Sequence, residues 1–226
     1  MATINNFCGF ETQGNEEAAS INGSPDPGET TTFRSGASAL SLQTADNDDF
    51  ILGWVETGGP VHAGSDNILG FAFRFDGAVT TGGIIAEVQT SGGSFLLRID
   101  ITSSSTLRLT DSSSTTLDTT AALSANTWYY VELYWVEGSS SNWEWFLNGS
   151  SEASGGTGVF DVAGTTTPDH IQLQTGSLVG PTNVFFDDVY CLSGATAATD
   201  RLGGSSASEM PEVFMVQTSV TGPPRS

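Results

Sequence analysis

The chain has 226 residues, with 26 Asp and Glu against six Arg and no Lys, and its formal net charge of −20 repels a phosphate backbone, which argues against nucleic-acid partners. Only 14% of residues are charged while Ser, Thr and Gly abound, a composition that suits strands and turns and excludes long ion-paired helices. The length supports one substantial core, and two cysteines are too few for a disulfide scaffold or a cysteine zinc site.

The start, Met1 to Asn6, lacks the basic and apolar regions of a secretory signal, and no window holds the roughly 18 to 20 apolar residues of a membrane span; a soluble chain synthesised in the cytoplasm is expected. Phe7-Cys8-Gly9-Phe10-Glu11 mirrors the late stretch Val184 to Cys191 in residue type, with a cysteine three positions from an acid in each. Paired antiparallel with partner numbers summing to 199, the two strands set Cys8 opposite Cys191 and Glu11 opposite Asp188. The thiols then either bridge or stay as buried thiols.

Residues 11 to 31, with Pro25 and Pro27, read as a polar excursion. Strands with period two follow at Ala39 to Gln43, Phe50 to Val55, Leu69 to Phe75, Ile84 to Gln89, Phe95 to Ile101, Thr106 to Thr110, Trp128 to Val136, Trp143 to Leu147 and Ile171 to Gln174. Asp46, Asp48 and Asp49 read as a solvated turn, and Gly82-Gly83 and Gly155-Gly156 as turns rather than phosphate cradles. Asn148-Gly149 predicts a two-residue hairpin turn, because both residues accept positive φ. The small polar run from Gly194 to Ser208 marks the end of a sandwich domain over residues 1 to 200, leaving 201 to 226 as an extended arm. Within it Val213, Phe214, Met215 and Val216 read as a short strand that adds to a neighbour or to its own body.

Several landmarks, in this order, resemble those of concanavalin A-like jelly rolls: Phe10-Glu11, Phe33 to Leu40, Trp128 to Leu133, Trp145-Phe146-Leu147-Asn148-Gly149 and Phe186-Asp187-Asp188-Val189. The resemblance covers residues 7 to 193 and implies an all-β, two-sheet antiparallel jelly-roll sandwich with a C-terminal extended arm, a fold shared by laminin G-like domains, family 16 glucanases and carbohydrate-binding modules. Phe-Asp-Asp-Val-Tyr followed by Leu202-Gly203 and a Pro-rich end is similar to jelly-roll proteins of tailed bacteriophages. In related carbohydrate-binding modules a structural calcium lies between the first strand, a Ser-Gly turn and the last strand. The resemblance therefore assigns Glu11, Gly36, Asp187 and Asp188 to one calcium ion, the alternative being carboxylates on a wet sheet face.

The Glu-x-Asp-x-x-Glu strand of family 16 glucanases is absent, Glu132 and Glu137 fall on opposite faces, and His62 and His170 have no nucleophile motif beside them, so no enzyme is expected. Trp54, Trp143 and Trp145, with Tyr134, offer flat faces to sugar rings, and Asn142, Asn148 and Asp76 offer hydrogen bonds; Trp143 and Trp145 share a face with Leu147, which favours burial. The expected function is a non-enzymatic virion protein decorating the capsid of a tailed phage. It would partner the major capsid protein and further copies of itself, with no membrane or nucleic-acid contact. The alternative is a carbohydrate-binding module or lectin for cell-surface polysaccharide, on a phage tail or fibre or elsewhere.

Overall fold

The computed structural model describes residues 3–8, 10, 20–53, 66–90, 92–138, 141–160, 168–193 and 201–202. Apolar side chains on alternate positions drive these segments into two antiparallel sheets that bury one face each against the other. Sheet A runs β13 (Ser150–Gly158), β12 (Ser141–Leu147), β11 (Tyr129–Val136), β6 (Asp66–Phe75), β15 (Asn183–Ser193), β4 (Ala39–Gln43), β3 (Asp26–Glu29). An eighth strand, β1 (Thr3–Cys8), pairs with the far half of β15, on residues 189–193, while β4 pairs with residues 183–186. Sheet B runs β10 (Thr116–Thr119), β9 (Leu107–Asp111), β8 (Phe95–Ile101), β7 (Gly83–Gln89), β14 (His170–Gln174), β5 (Asp49–Gly53), β2 (Ser20–Asn22).

The core is continuous across both sheets. Leu69, Phe71, Phe73 and Phe75 of β6, with Val131, Leu133 and Trp135 of β11, meet Phe50, Leu52, Val88, Leu97, Ile99, Ile171 and Leu173 from sheet B. Full burial of each such side chain contributes roughly 1.5–3 kcal/mol. Trp143 and Trp145 belong to this core, at 6% and 1% exposed. Trp145 reaches across it, donating its indole N–H to Asp118 Oδ2 on β10 at 2.8 Å. The predicted role of Trp143 and Trp145 as sugar platforms is therefore corrected: their alternation with Leu147 turns them inward, and neither presents a ring to solvent.

The chain ends do run side by side and antiparallel, as expected, but two residues out of the expected register. Cys8 pairs with Val189, and Cys191 with Asn6. One irregularity falls between Ile4 and Asn6, and a bulge at Asp188, with φ of 48°, interrupts β15 between Asp187 and Tyr190. A shift of two preserves the face, so both cysteines are buried in the same core, as thiols with no bridge between them.

Other departures are local. The polar excursion contains β2 and β3, and Gly155-Gly156 lies inside β13 rather than in a turn. Asp46 sits on an exposed turn, whereas Asp48 is fully buried and accepts hydrogen bonds from the backbone N–H groups of Ser24 and Gln43. Asn148 and Gly149 take φ of 51° and 81°, the two positive values the hairpin turn between β12 and β13 requires. Among the described residues no helix is long and apolar enough to cross a membrane.

Candidate functional site

The two outer faces differ in kind. On sheet A that face is closed over. Ile68, Ala72, Tyr130, Tyr190 and Leu192 form a second apolar cluster, capped by Leu202. Tyr190 lies on Gly70, where a Cβ would stand 2.1 Å from its ring, and its hydroxyl donates to Glu132 and accepts from the Leu202 N–H at 3.0 Å. Arg201 completes the clasp, pairing with Glu132 at 3.0 Å and stacking 3.6 Å from the Phe146 ring centre. Burial raises both Tyr130 and Tyr190 well above the ordinary phenol range, with the Glu132 carboxylate adding to it. This arrangement anchors residues 201–202 to the body over the Tyr130–Tyr190 cluster.

The bulge beside this cluster turns Asp187 and Asp188 towards the 33–36 loop. Asp187 Oδ2 accepts the backbone N–H groups of Arg34 and Ser35 at 2.9 and 3.0 Å, and its Oδ1 accepts the N–H of Asp188 at 2.8 Å. Asp188 takes the Arg34 guanidinium on one oxygen and the Ser35 hydroxyl on the other. Ser38 Oγ donates to the Phe10 carbonyl at 2.6 Å, tying in the first strand, and Gly36 supplies a positive φ of 61°. Burial, then the neighbouring Asp188 charge, push the Asp187 carboxyl up to about 7 against the opposing pull of three backbone N–H donors.

The predicted calcium ligands Gly36, Asp187 and Asp188 do come together here, while Glu11 lies outside the described residues. Arg34 is the positive partner of Asp188 here, so a cation bonded to the same carboxylate would compete with a guanidinium. No group of three metal-ligating side chains occurs among the described residues.

Sheet B presents a polar outer face on which Arg98, Gln89 and Gln172 are partly exposed, and the alternation that sends Val88, Leu97 and Leu173 inward sends Glu87, Arg98 and Gln172 outward. The pairings place Thr110, Arg98, Glu87, Gln172 and Ile51 in one row across β9, β8, β7, β14 and β5. Glu87, 4% exposed, is held by three donors: Arg98 Nε at 2.5 Å, Gln89 Nε2 at 2.7 Å and Gln174 Nε2 at 3.1 Å. The same Gln89 nitrogen donates to Gln172 Oε1 at 2.6 Å, and both Gln172 and Asn22 bond the Asp49 carboxyl. Burial, partly offset by those two bonds, raises the Asp49 pKa.

His170 faces oxygens on both sides, Gln89 Oε1 at 3.2 Å and Asp169 Oδ2 at 3.0 Å. Arg98 lies 4.2 Å from the Phe95 ring centre, and no other described residue bonds its η nitrogens. Directly across from it, the buried Thr110 Oγ1 has no hydrogen-bond partner. At one end of the face a groove of about 390 Å³ opens beside the Asp100–Arg108 ion pair, walled by Gly82, Gly83, Thr102 and Ser177. That volume lies within the range of sites that hold a small molecule or a sugar unit.

Of these sheet B residues the sequence singled out His170, and read Asp49 and Gly82-Gly83 only as turns; Arg98, Asp100 and Arg108 went unremarked although they are conspicuous charges on predicted strands of a charge-poor chain. Of the other predicted sugar contacts, Asp76 accepts the backbone N–H groups of Thr182 and Asn183, and Asn148 Oδ1 accepts the N–H of Tyr130, so both serve turns. Asn142 is exposed on β12, and Tyr134 packs against the covered cluster on sheet A. Trp54, His62 and the arm residues Val213, Phe214, Met215 and Val216 lie outside the described residues.

No protein-family model matches the sequence, and no curated protein does. Solved structures share the fold. One titled "Cellulose induced protein, Cip1" is 17% identical with a TM-score of 0.59, over 82% of this chain and 96% of that one. An endo-β-1,4-glucuronan lyase from the fungus Trichoderma reesei is 14% identical with a TM-score of 0.59, over 91% and 99%. A botulinum neurotoxin type C structure, whose title ties cell entry to interaction with two ganglioside molecules, is 14% identical with a TM-score of 0.55. There the match covers 80% of this chain and only 44% of the toxin chain. The class is thus an all-β, two-sheet antiparallel jelly-roll sandwich. That fold carries enzymes as well as binding domains, and at these identities the likeness extends to fold alone.

Proposed function

We propose that this chain is a non-enzymatic carbohydrate-binding module that holds a polysaccharide across the outer face of sheet B. One observation carries the reading: four strands bring Arg98, Glu87, Gln89, Gln172, Gln174 and Asp49 into a single bonded array on a partly exposed sheet face. Such an array is rigid before ligand arrives, so side-chain ordering adds little to the cost of binding. The groove beside Asp100 and Arg108 gives a chain of sugars a place to enter or leave the face. The lyase acts on a polysaccharide and the toxin title names gangliosides, which supports a sugar ligand for this fold without specifying one.

Calorimetric titration against soluble polysaccharides tests the proposal. Arg98→Ala and Gln172→Ala should each weaken binding at least tenfold while leaving the far-ultraviolet circular dichroism unchanged. Binding that survives both substitutions undiminished would place the ligand elsewhere. The setting expected from the sequence, a tailed-phage particle with the major capsid protein as partner, is a separate proposal. The Phe186-Asp187-Asp188-Val189-Tyr190 strand supports it by resemblance, and immunogold labelling of particles tests it.

A further inference from the structure

We infer that the sheet B face selects uncharged polysaccharide and rejects polyuronates. The inference rests on the polysaccharide reading above and adds the chemical class of the ligand. Both guanidiniums of the face already have a carboxylate partner: Arg98 with Glu87 and Arg108 with Asp100. Asp49 and Asp169 bring two further acids, so four carboxylates outnumber the two guanidiniums. A uronate approaching the η nitrogens of Arg98 meets the field of Glu87, whose oxygen is 2.5 Å from Nε of the same guanidinium. Beyond the face, the formal charge of −20 adds a repulsion that reaches about 10 Å at 0.1 M salt.

What the face offers instead is a mixture of donors and acceptors. The half-buried Gln89 and Gln172 each carry a carbonyl and an amide. A sugar hydroxyl both gives and takes a hydrogen bond, and so fits such a surface without adding charge. The half-buried Ile51 and Ile84, on the same face, give the C–H faces of a ring apolar contact.

The test is an array of soluble neutral and uronate-bearing glycans. It is followed by titration of each hit, and of polyglucuronate beside its carboxyl-reduced form, at 0.02 and 0.15 M salt. The expected hits are neutral, and polyglucuronate should bind at least tenfold more weakly than any of them, with the gap narrowing at the higher salt. Glu87→Gln, which leaves Arg98 without its carboxylate, should raise affinity for polyglucuronate severalfold. A uronate-bearing glycan that binds the wild type more tightly than its carboxyl-reduced counterpart overturns the inference and leaves the polysaccharide reading standing. An array with no hit of either charge overturns the reading itself.

Discussion

Asp187 makes the stability of this sandwich depend on pH in a direction opposite to that of an ordinary ion-paired acid. Its carboxyl is fully buried, beside Asp188, and is pushed from 3.8 up to about 7. The native state therefore holds this proton over a range in which the unfolded chain has released it. The associated stability is fully present below about pH 4 and is lost as pH rises through 7, with a total of about 4 kcal/mol. In Asp187→Asn the carboxamide oxygen still accepts the N–H groups of Arg34 and Ser35. Its NH₂ then faces the N–H of Asp188, which costs about 1–3 kcal/mol at every pH. Urea unfolding measured from pH 4.5 to 8.5 should thus show the variant less stable than wild type at the acid end, and equal or more stable at the alkaline end. Two parallel profiles would refute the reasoning, because they would mean that Asp187 binds its proton equally in both states.

Other outcomes follow from the same coordinates. Gly70→Ala puts a methyl where the Tyr190 ring lies, and should lower stability by about 1–3 kcal/mol in urea titrations and loosen the 201–202 clasp, seen as faster amide exchange at Leu202. Arg34→Met strands the buried Asp188 carboxylate and should cost about 3–5 kcal/mol by chemical denaturation. Because Arg34 already supplies the positive charge, millimolar calcium should leave the wild-type melting temperature within a degree of its value in EDTA. Asp118→Ala leaves the Trp145 indole N–H without its carboxylate in the core, and a loss of about 1–3 kcal/mol should accompany a shift in tryptophan emission.

The strands legible in the sequence are the inner ones. β6, β8, β11 and β12 show their period of two because one face packs against the opposite sheet and the other does not. The four strands that escaped notice, β13, β3, β10 and β2, are the outermost of the two sheets. An outer strand buries less, so β13 can be written almost wholly in Ser, Gly and Glu, and β3 can carry Pro27. The pairing of the chain ends was legible from the mirrored cysteines and acids, but bulges leave no mark on residue type, and the register slipped by two. For the site, the alternation alone tells that Glu87 and Arg98 point away from Val88 and Leu97. It does not tell that Gln172, remote in sequence, is hydrogen-bonded to Gln89 beside them, because that follows from strand order. Tryptophan drew attention to itself as a sugar platform, yet large flat rings fill a sandwich interior as readily as they line a binding face, and Trp143 and Trp145 went inward.

The last strand among the described residues, β15, is an interior ribbon of sheet A, flanked by β6 on one side and by β4 and β1 laid end to end on the other. During synthesis the ribosome must therefore deliver residue 193 before that layer can close, and until then the nascent polypeptide displays two unzipped borders, the Phe-rich β6 on one side and β4 and β1 on the other.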